Sequence, residues 1–382
     1  MPDFTFNLSP QIDFGNNTLG QVGAKASEWG QRVILVTESI LYENGVIEQV
    51  QSSLESKGMT ALVYDEVVPH ATTLCMENAL KLARASRSQV VIGMGGINAL
   101  SIAKGVAMAV QSSCEVDDFL SQRGKMGLPT PLIEIPSTGR NPFLFQNRFL
   151  AVDARNRRSI LVESQKNLTR QVIFDPQLCL SLPVKYCFTL MLETLLHCIE
   201  GYLSLKNNYM SELYFSQAMM LLSRAFPDIK HEPNGPEKRV LVPQTGLLSA
   251  MGLASSSFGL ASALALAIHG LFLVPKSWVA AILLPHILEF HMETSLEKIA
   301  QCAVFLGEAH EDDDTIQKAE KTIHFVRRWI GEIDIPARLK DFDIPLDRLN
   351  EVCDIVYYFS DLGTLPRSVS VPEIYEICKA AY

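Results

Sequence analysis

The amino-terminal half of the chain alternates two hydrophobic patterns. One consists of short, β-branched apolar runs, which are typical of strands buried on both faces of a sheet. The other repeats apolar residues at helical spacing. Such alternation predicts right-handed crossovers and a parallel sheet. Strands are predicted at 32–38, 61–67, 89–95, 131–137 and 171–176, with helices at 46–58, 74–86 and 98–110 among them.

From about Pro183 onward the pattern is helical, with few β-rich runs. Amphipathic helices are predicted within 189–203, 210–226, 277–291 and 315–331. The sequence therefore predicts an α/β N-terminal domain with a parallel, Rossmann-like sheet over residues 1–182 and an all-α C-terminal domain over 183–382. A ligand is expected in the cleft between them, at the carboxyl ends of the strands.

Residues 240–275 carry no Asp, Glu, Lys or Arg and are long enough to cross a bilayer. Prolines, glycines and a run of serines interrupt this stretch. Two buried helices of a large protein explain it better than a transmembrane segment.

Composition narrows the class of protein. The 382 residues are 48% hydrophobic and 20% charged, as in ordinary globular proteins. The net charge of -9 disfavours nucleic acid or an anionic membrane as the main partner. The eight cysteines form no CxxC pair, and the amino terminus has neither the basic nor the apolar region of a signal peptide. Reduced thiols in a cytoplasm fit best.

A strand, a glycine turn and a helix are predicted in "VVIGMGGINALSIAK", residues 90–104. Gly93, Gly95 and Gly96 permit close backbone approach and positive φ. A helix start at Asn98 offers free N–H groups and the positive end of a helix dipole. These features suit a pyrophosphate, although glycine-rich turns are also common in α/β folds that bind no nucleotide.

Glu38 ends the first predicted strand. A carboxylate there can accept hydrogen bonds from ribose hydroxyls and would repel a 2′-phosphate, which favours NAD over NADP. A solvated loop acid is the alternative.

Glu193 and His197 lie four positions apart in an apolar, helical run. That spacing places both side chains on one helix face, where a carboxylate and an imidazole form half of a metal site.

Taken together, these motifs resemble the iron-containing alcohol dehydrogenase family over nearly the whole chain. The resemblance rests on the order of "VILVTES", "EVVPHATT", "GGINALSIAK", "IPST", "IFDPQLCLSLP", "LETLLHCIEGYLS" and "AAILLPHILEF". It implies a nicotinamide cofactor, an iron or zinc ion, a small alcohol or aldehyde as substrate and a homodimer. The residues implied to contact the cofactor are Glu38, His70, Gly95, Gly96, Asn98, Thr138 and Leu178.

The metal motif departs from the family. Relatives use an Asp and a His four apart on one helix, followed by two further histidines. Glu193 and His197 match the first pair, whereas Ser262 and Lys276 fall on the other two, and Leu266 falls on a relay histidine. A protonated lysine has no lone pair to give a metal, which argues against iron or zinc. We expect the Lys276 ammonium to pair with Glu193 instead, and Lys276 and His197 are the candidate catalytic residues.

His269 is a candidate to replace a lost metal ligand. It lies seven residues before Lys276. A shift of one helical turn would let it complete a three-ligand metal site with Glu193 and His197. A packing role for a histidine in an apolar run is the other interpretation.

The nucleotide motifs also depart from the family. Ile97 and Ser101 replace a glycine and an aspartate of the glycine element. The small-residue loop that follows "IPTT" in relatives is here "GRNPFLFQN", residues 139–147, with bulky side chains at 143–145. Either Arg140 pairs with an anionic substrate group in a reshaped pocket, or the loop has drifted without catalytic constraint.

Two functions remain open from the sequence. One is an NAD-dependent oxidoreductase in which Lys276 stabilises charge on the substrate oxygen. The other is a degenerate, non-catalytic family member that acts as a binding or subunit protein.

Overall fold

The computed structural model describes residues 4–6, 8–69, 72–121, 127–180, 182–232, 235, 239–333 and 335–382. The chain forms two compact units, one of residues 8–181 and one of Leu182–Tyr382 with the described residues before Leu8. We call them the α/β unit and the helical unit. Phe6 stacks on Tyr214 of the helical unit, with ring centroids 6.1 Å apart. The sequence pattern did not predict this contact of the amino-terminal segment.

The α/β unit contains a six-stranded parallel sheet in the order β1-β8-β5-β4-β2-β3. All five predicted strands are confirmed, with ends that differ by a few residues. The strands are β1 Gln11–Phe14, β2 Arg32–Thr37, β3 Thr60–Tyr64, β4 Val90–Gly95, β5 Leu132–Pro136, β6 Arg148–Asp153, β7 Arg158–Glu163 and β8 Thr169–Phe174.

The direction of strand addition reverses between β2 and β4. From β2 the chain moves outward to β3, whereas from β4 it moves the other way, to β5 and then β8. The carboxyl ends of β2 and β4 therefore flank the point where ligands bind in open α/β sheets. Glu38 follows the first of these strands, and Gly95 ends the second.

The helices of this unit cover both faces of the sheet and bury separate apolar clusters there. Each predicted helix is present. The helices are Val22–Ala26, Ile40–Glu43, Val46–Glu55, Thr72–Ala85, Ile97–Ala109, Val116–Leu120 and Gln177–Leu180. The helix Ile97–Ala109, called the glycine helix below, begins one residue before the predicted start. Gly96 occupies its N-cap, so Asn98 is the second residue of the helix.

A β-hairpin was missed by the pattern analysis. Strands β6 and β7 pair in antiparallel register, outside the main sheet. Phe149 and Ala151 of β6 join the apolar cluster that contains Ile102 and Val106 of the glycine helix. The hairpin thus packs against the glycine helix and contributes to its almost complete burial.

The helical unit surrounds one large apolar core. Its helices are Val184–Leu203, Tyr209–His231, Leu241–Leu253, Leu260–Phe272, Lys276–Phe305, Thr315–Ile333, Leu349–Tyr357 and Val371–Ala380. Short 3-10 helices of this unit lie at Leu339–Phe342, Leu346–Arg348 and Ser360–Thr364, and one in the α/β unit lies at Thr18–Gln21. The uncharged stretch 240–275 forms two helices, as predicted. Within the described part of the chain, none of the helices combines the length and apolarity needed to span a bilayer.

Candidate functional site

The glycine turn at the end of β4 has a conformation that only glycine adopts comfortably. Gly95 has φ of +145°. A Cβ at this position would lie 2.9 Å from the Ala99 Cβ and 3.2 Å from the Glu38 carboxyl carbon. Both the backbone conformation and the lack of space therefore require glycine here.

Glu38 lies directly against this turn. The Gly96 backbone N–H donates a hydrogen bond to Glu38 Oε2 at 3.3 Å. The glycine helix starts at the next residue, so the carboxylate lies near the positive end of its dipole, where negative charge is stabilised. The structure thus brings together Glu38 and Gly96, two of the predicted cofactor residues, which are 58 positions apart in sequence.

Other predicted cofactor residues gather at the same edge of the sheet. The Ser137 backbone N–H donates to the Gly95 carbonyl at 3.0 Å, which brings the neighbouring Thr138 close to the turn. Cys179 Sγ in turn donates to the Ser137 carbonyl at 3.3 Å, next to buried Leu178. Asn98 is the second residue of the glycine helix and is half-buried, whereas His70 lies outside the described residues.

The loop after β5 is a packed part of the unit. Asn141, Phe143, Leu144 and Phe145 are all buried. Asn141 Oδ1 accepts the Phe143 backbone N–H at 3.0 Å, which closes a local turn. Arg140, which in one of the two interpretations of this loop pairs with an anionic substrate group, is half-buried.

A lysine anchors this loop to the glycine helix. Lys104 is 1% exposed, and its Nζ donates to the Phe143 carbonyl at 2.6 Å. The same Nζ lies 3.6 Å from Glu134 Oε2 on β5, and Thr169 Oγ1 donates to that oxygen at 2.6 Å. Burial lowers the pKa of Lys104 and raises the pKa of Glu134, while their mutual attraction opposes both shifts.

In the helical unit, Glu193 and His197 both lie on the helix Val184–Leu203. They are 4% and 6% exposed. A spacing of one helical turn places them on the same face, as the sequence predicted.

A second acid on that helix, Glu200, was missed by the sequence analysis. Glu200 Oε1 accepts the backbone N–H of Ala261 at 2.7 Å and that of Ser262 at 3.2 Å. Glu200 Oε2 accepts the Ser262 hydroxyl at 2.5 Å. Glu200 therefore caps the helix Leu260–Phe272 from a neighbouring helix. Burial raises its pKa, although these hydrogen bonds favour the charged form. Its position seven residues after Glu193, on the same face, was the available signal.

His269 has a defined orientation. Its Nδ1 lies 2.7 Å from the Val274 carbonyl oxygen, and the residue is 6% exposed. Because a carbonyl only accepts hydrogen bonds, Nδ1 carries a proton, and in the neutral imidazole Nε2 carries the lone pair. Lys276 is the first residue of the helix Lys276–Phe305 and is half-buried, and Leu266 is buried.

Two of the family's four ligand positions carry a different residue type in this chain. Of the four positions named above, Ser262 gives its hydroxyl to Glu200, and Lys276 has no lone pair when protonated. Only Glu193 and His197 retain a ligand type. Over the described ranges, no three or more His, Cys, Asp or Glu side chains form a group that could hold a metal ion.

Known proteins match this chain over its full length. The sequence profile of iron-containing alcohol dehydrogenase matches residues 9–176, and that of the Fe-containing alcohol dehydrogenase family, C-terminal, matches 188–382. A long-chain-alcohol dehydrogenase of Geobacillus thermodenitrificans is 28% identical, with 98% of this chain and 95% of the relative covered.

Two solved structures illustrate the shared fold. A 1,3-propanediol oxidoreductase superposes with a TM-score of 0.92 at 22% identity, with 100% of both chains covered. A sulfoacetaldehyde reductase from Bifidobacterium kashiwanohense in complex with NAD+ has a TM-score of 0.85 at 16% identity, covering 100% of this chain and 99% of the other.

Proposed function

Because the chain belongs to the iron-containing alcohol dehydrogenase family, we propose that it is an oxidoreductase acting on a small alcohol or aldehyde with NAD(H). The names of the similar proteins, an alcohol dehydrogenase, a diol oxidoreductase and an aldehyde reductase, support this reaction class. The nicotinamide supplies or accepts the hydride when it is bound. The substrate contributes the alcohol or carbonyl carbon.

The residues at the glycine turn suit a dinucleotide. Gly95 and Gly96 leave the backbone open to close approach, and the start of the glycine helix offers a positive dipole end to phosphate. Glu38 supplies a carboxylate that accepts hydrogen bonds from ribose hydroxyls and repels a 2′-phosphate. The Glu38 position therefore favours NAD over NADP.

We propose further that the reaction proceeds without the family's metal ion. The single observation that carries this proposal is the 2.5 Å hydrogen bond from the Ser262 hydroxyl to Glu200. The residue at one of the family's ligand positions is thus bonded to a carboxylate of the protein. In this proposal the Lys276 ammonium pairs with Glu193. Lys276 then provides the positive charge that stabilises a developing alkoxide, and His197 holds or moves a proton beside it.

Metal content decides the metal-free part of the proposal. We expect the purified protein, produced with both iron and zinc in the medium, to contain far less than one ion per chain by mass spectrometry. The variant Ser262→His/Lys276→His supplies two imidazoles and is the positive control, which should gain metal.

A metal held through His269 would contradict the proposal. Its Nε2 lone pair makes a relocated imidazole ligand chemically reasonable. A stoichiometric ion in the unaltered protein that disappears in His269→Ala would establish the three-ligand site and refute the metal-free mechanism.

Turnover tests the lysine itself. Lys276→Met should reduce kcat at least about a hundredfold, since removing one group that stabilises transition-state charge costs that much in other enzymes. Lys298→Met is the matched control, because Lys298 is a half-buried lysine of the same helix whose Nζ donates to the Tyr202 carbonyl at 3.1 Å. Full turnover in Lys276→Met would remove Lys276 from the mechanism.

The second candidate function is a non-catalytic binding or subunit protein. The observation that favours it is the packed segment Phe143–Phe145, where relatives have small residues at a loop that contacts the nucleotide. Calorimetry with NADH separates the two, since the enzyme must bind the dinucleotide. A homodimer and a cytoplasmic location remain further expectations, and light scattering after gel filtration tests the first.

A further inference from the structure

The loop that follows β5 is fixed at two points. Both anchors lie in the segment made of β4, the glycine turn and the glycine helix. At the start of the loop, the Ser137 N–H donates to the Gly95 carbonyl in the glycine turn. Six residues later, the Phe143 carbonyl accepts the Lys104 ammonium from the glycine helix. The segment between these points includes Thr138 and Arg140, so its position relative to the glycine turn depends on both anchors.

The second anchor depends on a buried carboxylate. Lys104 is almost completely buried, and a lone ammonium in such a place is costly. Glu134, which is 0% exposed, balances this charge from β5 at 3.6 Å. Thr169 at the start of β8 fixes the carboxylate with its hydroxyl. Glu134 Oε1 has no hydrogen-bond partner among the described residues, so Lys104 and Thr169 both act on the carboxylate through Oε2.

A purely apolar core would fill this space at less cost. Replacing a buried ion pair by apolar residues of similar volume is often neutral or stabilising. The ammonium makes one contact that an apolar side chain cannot make, the hydrogen bond to the Phe143 carbonyl. That contact joins the bulky loop to the helix whose first turn faces the candidate dinucleotide site.

We propose that Lys104 and Glu134 are a positioning pair: they fix the Ser137–Phe143 segment over the glycine turn and thereby set the affinity for the dinucleotide. This inference rests on the proposed NAD(H)-dependent function. Neither residue touches the reacting atoms. Their effect is on the affinity for NADH and leaves the chemical step unchanged.

The double variant Lys104→Met/Glu134→Leu separates positioning from stability. It removes both charges and keeps apolar side chains of similar size, so the midpoint of urea unfolding should stay near that of the unaltered protein. We expect the KM for NADH to rise about tenfold or more, because the loop loses a charge-assisted hydrogen bond, with kcat changed by less than about threefold. Amide exchange at Leu144 and Gln146, whose N–H groups close the loop turns, should speed up.

Lys318→Met is the matched control. Lys318 is also a buried lysine that donates to a backbone carbonyl, that of Glu311 at 2.7 Å, but it lies in the helical unit. Its variant should lower stability and leave the KM for NADH unchanged.

The outcomes separate this inference from the function it rests on. If the double variant keeps normal amide exchange or a normal KM for NADH, the positioning role is refuted while the proposed function stands. If the unaltered protein binds no NADH in calorimetry, the proposed function fails and the positioning role fails with it.

Discussion

The Gly96 backbone N–H donates to the Glu38 carboxylate at the point where two neighbouring parallel strands end. The carboxylate thus lies at the N-terminus of the glycine helix, the place where such folds bind phosphate. Under the proposed function, this one side chain acts on both the ribose preference of the dinucleotide site and the charge that a pyrophosphate meets.

Replacement of Glu38 should relax the preference between NADH and NADPH. In Glu38→Ser the repulsion of a 2′-phosphate disappears, and a hydroxyl remains to hydrogen-bond it. We expect the ratio of kcat/KM for NADPH to that for NADH to rise at least about tenfold, which corresponds to about 1.4 kcal/mol. Steady-state kinetics with both cofactors measures it. Glu55→Ser, at an exposed acid of the same unit, should leave the ratio unchanged; an unchanged ratio in Glu38→Ser would exclude Glu38 from cofactor choice.

Gly95→Ala should destabilise the α/β unit through both backbone conformation and crowding. A residue forced into such a φ costs about 1–3 kcal/mol, and its Cβ would also lie 2.9 Å from the Ala99 Cβ. Gly58→Ala is the control for backbone conformation alone, since Gly58 has φ of +70° and a Cβ added there would meet no heavy atom within 4 Å among the described residues. Urea unfolding of both variants measures the difference, and equal losses would show that the turn tolerates a side chain.

Ser262→Ala should cost more stability than Ser256→Ala. The Ser262 hydroxyl donates to the buried Glu200 carboxylate at 2.5 Å, whereas the Ser256 hydroxyl donates to the neutral Gly201 carbonyl at 2.7 Å. Hydrogen bonds to charged groups contribute about 1.5–3 kcal/mol, and neutral ones about 1 kcal/mol. Chemical denaturation at neutral pH tests the order. A smaller loss for Ser262→Ala would indicate that Glu200 is protonated there.

His291 should make stability depend on pH. Burial, with a smaller contribution from nearby Arg367, lowers the pKa of His291 from 6.5 to about 4. Between these values the unfolded chain binds a proton that the folded protein does not, so stability rises with pH from 4 to 6.5 and is level above. The full effect is about 3 kcal/mol. Free energies of unfolding across this range measure it.

The variant His291→Phe should flatten this pH dependence. His291 Nδ1 has no hydrogen-bond partner among the described residues, so an apolar ring loses little at neutral pH. His324→Gln, at an exposed histidine, should keep the pH dependence of the unaltered protein. If the free energy of unfolding still rises with pH in His291→Phe, other groups cause the pH dependence.

The alternation of apolar runs and amphipathic helices determined the parallel sheet and the helical half. Strands buried on both faces and helices with one apolar face leave their period in the sequence, and β2, β4 and β5 lie where that period places them. Strand β1 and the β6–β7 hairpin were not predicted from the sequence. Gln11–Phe14 is only four residues long, and the hairpin packs on a helix rather than in the sheet.

The sequence also pointed to single positions at which it predicts chemistry. Glu38, Gly95 and the Glu193–His197 pair stood out because strand ends, glycines and one-turn spacings are local features. A charge in the apolar strand "PLIEIP" was likewise visible, but its partner was not.

Only the tertiary structure decided which distant groups meet. It placed Lys104 beside Glu134 and against the Phe143 carbonyl, and it gave the Ser262 hydroxyl to Glu200. These contacts join residues that lie 30 to 62 positions apart. Burial makes each charge depend on its partner, and no local pattern records a partner that comes from another element.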